Sequence, residues 1–161
     1  MAHQPRRHGG SAPHHGGGGH PRDRGTATLD TSKIIFGSQI DHRLYSDVAE
    51  AAAEEVGTAG KQERKNKPAQ LRRFYDELVL LQGKVGGSAE RFAEQQPFIQ
   101  MLKAKVVYAQ GREKVEGKFS SLLRHIVDQA RDQDSLKQAR LFMEAFMGFY
   151  KVHGPKEGSR E

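Results

Sequence analysis

The segment FSSLLRHIVDQA, residues 119–130, carries the clearest helical pattern in the 161-residue sequence. Its apolar residues recur at i, i+3, i+4, i+7, i+8 and i+11, which places them on one face of an α-helix. The residues on that face are Phe119, Leu122, Leu123, Ile126, Val127 and Ala130. A helix with one apolar face needs other elements to cover it. Since no segment alternates with the period of two that is typical of strands, we predict an all-α fold.

The segment that ends before Gly86-Gly87 predicts a second amphipathic helix. It is expected to begin near Asn66 or Lys67, with Pro68 in its first turn, where a missing N–H is tolerated. Its buried stripe consists of Leu71, Phe74, Leu78 and Leu81. Gly83 is expected to close this helix.

The segment after residue 130 predicts the last helix of the chain. An Asp134-Ser135 cap is expected to open it, and Gly154-Pro155 to end it. Its apolar stripe consists of Ala139, Phe142, Met143, Phe146, Tyr150 and His153. Met147 and Phe149 of the same segment either complete the core or form subunit contacts, and the sequence leaves both open.

A short alanine-rich helix is predicted over residues 47–56, with Ser46 as its N-cap and Gly57 after its end. A further short amphipathic piece lies around residues 89–95. Together, the predicted helices indicate a compact bundle of about five helices over residues 46–154.

The terminal regions differ in composition from the bundle. Residues 1–28 are rich in Gly, His and Arg with almost nothing to bury, so a disordered tail is expected. This tail holds five of the eight histidines, but their irregular spacing favours a low-complexity tail over a metal site. Residues 29–45 form an extension that could be a strand, a frayed helix or a docking peptide that orders on a partner, and the sequence does not decide among them. Residues 155–161 are read as a C-terminal tail.

The segment PFIQMLKAKVVYAQGR, residues 97–112, is predicted to form a helix with two different stripes. Pro97 suits its first position. The stripe expected to face the core contains Phe98, Leu102, Val106 and Ala109. The second stripe contains Met101, Lys105, Tyr108 and Arg112. Two cations and an aromatic ring on one surface suit a polyanion, since phosphates need spaced cations and a ring can stack on a base. The alternative is a solvated face with Tyr108 half-buried against a neighbour.

The composition limits the classes of function. The formal net charge is +6 and the sequence pI is about 9.7, which favours an acidic partner, and nucleic acid above a membrane. The absence of cysteine excludes thiolate catalysis and cysteine-based zinc sites, and suits a cytoplasmic location. No catalytic constellation and no apolar run of membrane-spanning length is present. We therefore expect no enzyme, no cofactor, no metal, no small-molecule substrate and no membrane partner.

Four segments, in this order, resemble the small helical subunit of the type III-A (Csm) CRISPR effector complex. They are LYSDVAEAAAEEVG, PAQLRRFYDELV, PFIQMLKAKVVYAQGR and FMEAFMGFYKVHG, and the likeness covers roughly residues 45–153. The chain departs from the family where Asn66-Lys67-Pro68 replaces the usual Thr or Ser before QLR, so a different cap is expected.

The resemblance implies a non-catalytic subunit that stacks in several copies beside the backbone and large subunits. Such subunits contact target RNA paired with the guide, without reading its sequence. The candidate RNA contacts are Lys103, Lys105, Arg112, Arg72, Arg73 and Tyr108. Among them, Arg73 points more nearly away from the apolar stripe, and the resemblance favours packing over stacking for Tyr108. The alternative function is a helical protein–protein adaptor with no direct RNA contact.

Overall fold

The computed structural model describes residues 28–158. Within these residues lie five α-helices and no strand. The helices are α1 (Ala49–Glu63), α2 (Pro68–Val85), α3 (Ala89–Gly111), α4 (Gly117–Gln129) and α5 (Gln133–His153). A π-helical turn, Leu44–Val48, leads into α1. The predicted all-α bundle of about five helices is confirmed.

Helix α5 lies at the centre of the bundle, because it packs on α1, α2 and α4. All six apolar residues predicted for α4 are buried. The aromatic centre of the core contains Phe119, Phe142, Phe146 and Tyr150. The Phe146 and Tyr150 rings stack with their centroids 5.4 Å apart. Met147 and Phe149 are half-buried and pack against this core, while part of each side chain remains exposed.

Helix α1 is longer than predicted, since it continues through Gly57 to Glu63. Gly57 does not end the helix but allows it to approach the C-terminal end of α5. A Cβ atom at this position would lie 2.2 Å from the carbonyl oxygen of His153. A residue that locally favours a helix end is therefore retained inside the helix by tertiary packing.

Helices α2 and α3 also run through residues that predicted their ends. Helix α2 passes Gly83 and continues to Val85, which is fully buried. Helix α3 begins at Ala89, so Pro97 lies inside it and not at its first position. An internal proline costs one backbone hydrogen bond. The continuous helix buries Phe92 and Ile99 on one side, which offsets that loss.

The core-facing stripe of α3 is shifted by one residue from the prediction at its first position. Phe98 is exposed, and Ile99 is buried together with Leu102, Val106 and Ala109. The shift follows from the earlier start of α3, because Phe92 and Ile99 lie seven residues apart on one helical face.

The cap of α5 is Asp132 and not the predicted Asp134-Ser135 pair. The Asp132 carboxylate accepts the backbone N–H of Ser135 at 2.7 Å, and the Ser135 hydroxyl oxygen accepts the backbone N–H of Asp132 at 3.0 Å. This reciprocal capping box satisfies two N–H groups that the helix leaves open. The Asp132 carboxylate accepts hydrogen bonds from the backbone N–H and the hydroxyl of Ser135, and these two bonds lower the pKa of Asp132.

The extension, residues 29–43, lies on α4 and α5 of its own chain. Ile34 and Phe36 are buried, and the ring of Phe36 lies 6.1 Å from that of Phe142. The Nε2 atom of His125 lies 2.6 Å from the carbonyl oxygen of Ile34. Residues 29–43 are therefore neither a strand nor a helix, and they dock on the bundle of their own chain, which none of the three possibilities predicted.

Asn66 joins three parts of the bundle at one buried corner. Its side-chain amide donates to the carbonyl oxygen of Val56 in α1 and to the carboxylate of Glu116, at 3.2 and 2.9 Å. Its backbone N–H donates to the carbonyl of Lys114, and its own carbonyl accepts the Tyr150 hydroxyl at 2.5 Å. The φ of Asn66 is +56°, a conformation that asparagine tolerates better than most residues. Burial, with a smaller contribution from Glu116, raises the pKa of Tyr150.

Candidate nucleic-acid interface

A shallow groove of about 230 Å³ runs between α2 and α3. The polar side chains that line it and bear on its chemistry are Arg73, Glu77, Lys105, Tyr108, Arg112 and Lys114. Four of these are cations and one is an anion, so the groove carries an excess of positive charge. Such a surface suits a polyanionic ligand.

Helical spacing on two antiparallel helices places these side chains together. The short turn after Val85 returns the chain, so that α3 packs beside α2. Arg73 and Glu77 lie one turn apart on α2, as do Lys105 and Tyr108 on α3. Glu77 forms an ion pair with Lys105 across the groove, which the register of the two packed helices brings into reach.

Tyr108 is 66% exposed, although the sequence left half-burial open and the resemblance favoured packing. Within the described chain the ring therefore has no packing role in the core. The guanidinium carbon of Arg112 lies 5.6 Å from the centroid of the ring. A cation at this distance over an aromatic face is attracted by its quadrupole. The ring and the guanidinium thus form one composite surface at the edge of the groove.

Two of the six candidate residues lie outside this groove. Lys103 forms an ion pair with Asp128 of α4, on the opposite flank of α3. Arg72 is exposed, yet it does not line the groove, whereas its neighbour Arg73 does. Of the two arginines, only Arg73 therefore shares a groove with Lys105 and Arg112.

Two groove residues were absent from the candidates. Lys114 follows α3 in a loop where Glu113 has a φ of +60°, so no helical spacing could position it. Glu77 could have been found, because it lies four residues after Arg73 on the predicted helix. Its partner across the groove depends on the register between two helices, which sequence periodicity does not give.

The cations of the groove fall into two classes. Lys105 is paired with Glu77, whereas Arg73, Arg112 and Lys114 form no ion pair within residues 28–158. These three side chains are thus available to an anionic ligand without the loss of an internal partner.

A larger cavity of about 620 Å³ lies between the extension and α1. The acidic side chains that line it are Asp30, Asp41, Asp47 and Glu55, against the two cations Lys33 and Arg43. This excess of negative charge disfavours a polyanion. The sign of the charge therefore distinguishes this cavity from the groove between α2 and α3, where cations are in excess.

Other kinds of site find no support in the described part of the chain. It contains no cluster of three or more side chains suited to hold a metal ion. The tail histidines lie outside residues 28–158. His125 and Asp128, one turn apart, do not form a pair, because His125 contacts the Ile34 carbonyl and Asp128 binds Lys103. None of the described helices is long and apolar enough to cross a membrane.

Comparison with known proteins identifies one family. The family described as Csm2 Type III-A matches residues 43–156, a range that includes all five helices. No curated protein and no solved structure matches the chain.

Proposed function

This chain belongs to the Csm2 Type III-A family, and we propose that it binds target RNA through the groove between α2 and α3. Proteins of this family are the small subunits of the type III-A Csm CRISPR effector complex. Membership of the family makes the chain a component of the Csm complex together with other subunits. Small subunits of this family are structural and generally non-catalytic. The RNA contact, the residues that make it and the stacking of several copies are the parts that we propose.

The observation that carries the proposal is the convergence of Arg73, Arg112 and Lys114 on one groove beside Lys105. Phosphate contacts position a protein on nucleic acid without reading its sequence. A subunit of an RNA-guided complex needs no more than this, because base pairing with the guide already selects the target. The groove is therefore expected to bind the RNA backbone with little sequence preference.

Several copies of the chain are expected to act together on one RNA. We expect the affinity of a single groove to be weak and neighbouring copies to raise one another's effective concentration. The exposed apolar side chains Phe98 and Met101 lie on the same stripe of α3 as Lys105. We expect these side chains to contact a neighbouring copy or another Csm subunit, because burial there would remove apolar surface from water.

The test replaces Lys105 and Arg112 together by alanine in the full chain and measures the affinity for single-stranded RNA across a salt series. We expect affinity to fall about tenfold or more, and the dependence on salt to become shallower, because fewer phosphates are neutralised. The matched control is Lys61→Ala with Lys137→Ala, which removes the same charge from exposed positions on α1 and α5.

An equal loss in both double variants would mean that net charge alone attracts the RNA. Unchanged affinity in the Lys105/Arg112 double variant, with the fold intact by circular dichroism, would overturn the proposal. If digestion of RNA also left every association with Csm subunits intact, the chain would act as a protein–protein adaptor.

A further inference from the structure

Tyr108 differs from the other tyrosines of the chain in its environment. It is 66% exposed, whereas Tyr150 is buried and Tyr45 and Tyr75 are half-buried. Its ring lies at the edge of a groove where three cations form no ion pair within the described residues. An aromatic ring so exposed leaves apolar surface in water, and it has no partner in the core to account for its position.

We propose that Tyr108 is a stacking platform for one unpaired nucleobase of the bound RNA, and that Arg112 supports the ring from its other face. This inference rests on the proposed function, which concerns only the contact with phosphates. The guanidinium carbon of Arg112 lies 5.6 Å from the ring centroid. The ring is 66% exposed, so with the cation over one face we place the base against the other.

The ligand is a nucleotide whose base is not stacked in a continuous duplex. In an A-form helix both faces of each base are covered by neighbouring pairs, so a protein ring can stack only on a base at an end, in a bulge or in a single strand. The nearby cations of Arg112 and Lys114 suit the phosphates on either side of such a base. One nucleotide would thus contact both the ring and the cationic part of the groove.

The charge around Tyr108 favours a nucleotide over an apolar protein partner. An apolar side chain docked on the ring would bury part of the Arg112 guanidinium and give it no acceptor, which carries a desolvation penalty. RNA supplies a π-face for the ring and phosphate oxygens for the guanidinium together. Stacking also tolerates any base, in keeping with a subunit that does not read sequence.

The chain allows a direct optical test, since it contains four tyrosines and no tryptophan. We expect single-stranded RNA to quench the tyrosine fluorescence of the full chain, because a base stacked on Tyr108 shortens the excited-state lifetime of the tyrosine. In Tyr108→Phe the ring remains, so RNA affinity is expected to stay close to that of the parent while this quenching disappears. Tyr75→Phe, which changes a half-buried tyrosine of α2, is the control and should retain the quenching.

The second arm compares Tyr108→Leu with the parent on two strands of equal length, one with bases and one made abasic throughout. We expect Tyr108→Leu to weaken binding of the normal strand about tenfold and to leave binding of the abasic strand unchanged, because the abasic strand has phosphates but nothing to stack. Equal loss on both strands would overturn the inference, since the ring would then act only by holding Arg112.

The two proposals fail in different ways. In one outcome the Lys105/Arg112 double variant loses RNA affinity, the RNA affinity of Tyr108→Leu equals that of the parent, and RNA still quenches the emission of Tyr108→Phe. The stacking proposal is then wrong, and the proposal of phosphate contacts in the groove stands. If neither the double variant nor Tyr108→Leu changes affinity, both are wrong. If Tyr108→Leu loses only its association with Csm subunits, the ring belongs to a protein contact.

Discussion

At the scale of single residues, the candidate cations are distinguished by their acidic partners. Lys103 and Lys105 are held in ion pairs by Asp128 and Glu77, whereas Arg112 forms no ion pair within the described residues. A surface ion pair contributes only about 0–1 kcal/mol, so Lys105 can exchange Glu77 for a phosphate at little cost. Glu77 nevertheless competes with the ligand for that lysine and repels the phosphate itself.

Glu77→Gln is therefore expected to strengthen binding of single-stranded RNA about two- to fivefold, the equivalent of one surface ion pair. The matched control is Glu63→Gln, which raises the net charge equally but removes the partner of Lys65 outside the groove. Affinity measured at fixed, low salt compares the two variants. An equal gain in both would assign the effect to net charge, and no gain in Glu77→Gln would show that Lys105 does not bind phosphate.

At the scale of helices, the packing of α1 on α5 depends on a glycine inside a helix. The two helices approach each other closely at Gly57, where an added Cβ would overlap the backbone of His153. The side chains of Glu50 and His153 also join the two helices, with 3.1 Å between Oε1 and Nε2. The close approach of α5 at Gly57 explains why α1 has a glycine inside it, although glycine has poor helix propensity.

Gly57→Ala is expected to lower the free energy of unfolding by about 1–3 kcal/mol, because backbone atoms of α5 must move. Gly83→Ala is the control inside α2, where an added Cβ meets nothing within 4 Å. It should raise the free energy of unfolding by about 0.5–1 kcal/mol, since alanine favours the helix and restricts the unfolded chain. Urea denaturation of both variants measures the difference, and similar values would contradict the close approach of α1 and α5.

Most helix faces and some helix ends, such as the end of α5 before Gly154, could be predicted from the sequence, but other helix ends and the partners across helices could not. Periodicity placed Phe119 and Leu122 in the core, and it also placed Tyr108 and Arg112 on one stripe. The ends assigned to Gly57 and Gly83 were wrong, because packing of neighbouring segments outweighs the local preference of one glycine. The Glu77–Lys105 pair depends on the register of two helices, for which a single sequence carries no signal.

At the scale of the whole molecule, the fold includes a segment with no regular structure. Residues 29–43 lie on α4 and α5 and contribute Ile34 to the core, while the adjacent Ile35 faces outward and is 56% exposed. Two identical side chains next to each other therefore have opposite environments. The extension packs across α4 and α5 with one side buried and the other exposed. Its contribution to stability can be measured with a matched pair of variants.

Ile34→Ala is expected to lower the free energy of unfolding by about 2–4 kcal/mol, because it leaves a cavity in the core. Ile35→Ala removes the same atoms from the surface and should change the free energy of unfolding by less than about 0.5 kcal/mol. Thermal unfolding of the two variants compares them directly. If both changes were equally small, the extension would contribute nothing to the stability of the bundle.

The buried corner at Asn66 bears on how fast the chain captures its ligand. Lys114 reaches the groove from the loop after α3, where its backbone forms two hydrogen bonds of 3.0 Å. Its carbonyl oxygen accepts the N–H of Asn66, and its N–H donates to the carbonyl oxygen of Ala109. The loop is therefore in place before any RNA arrives, and no ordering step has to precede binding. Association is then governed by diffusion and long-range attraction, which salt weakens. Under the proposed function, contacts with neighbouring subunits would slow dissociation and so lengthen the residence time of each copy on the RNA.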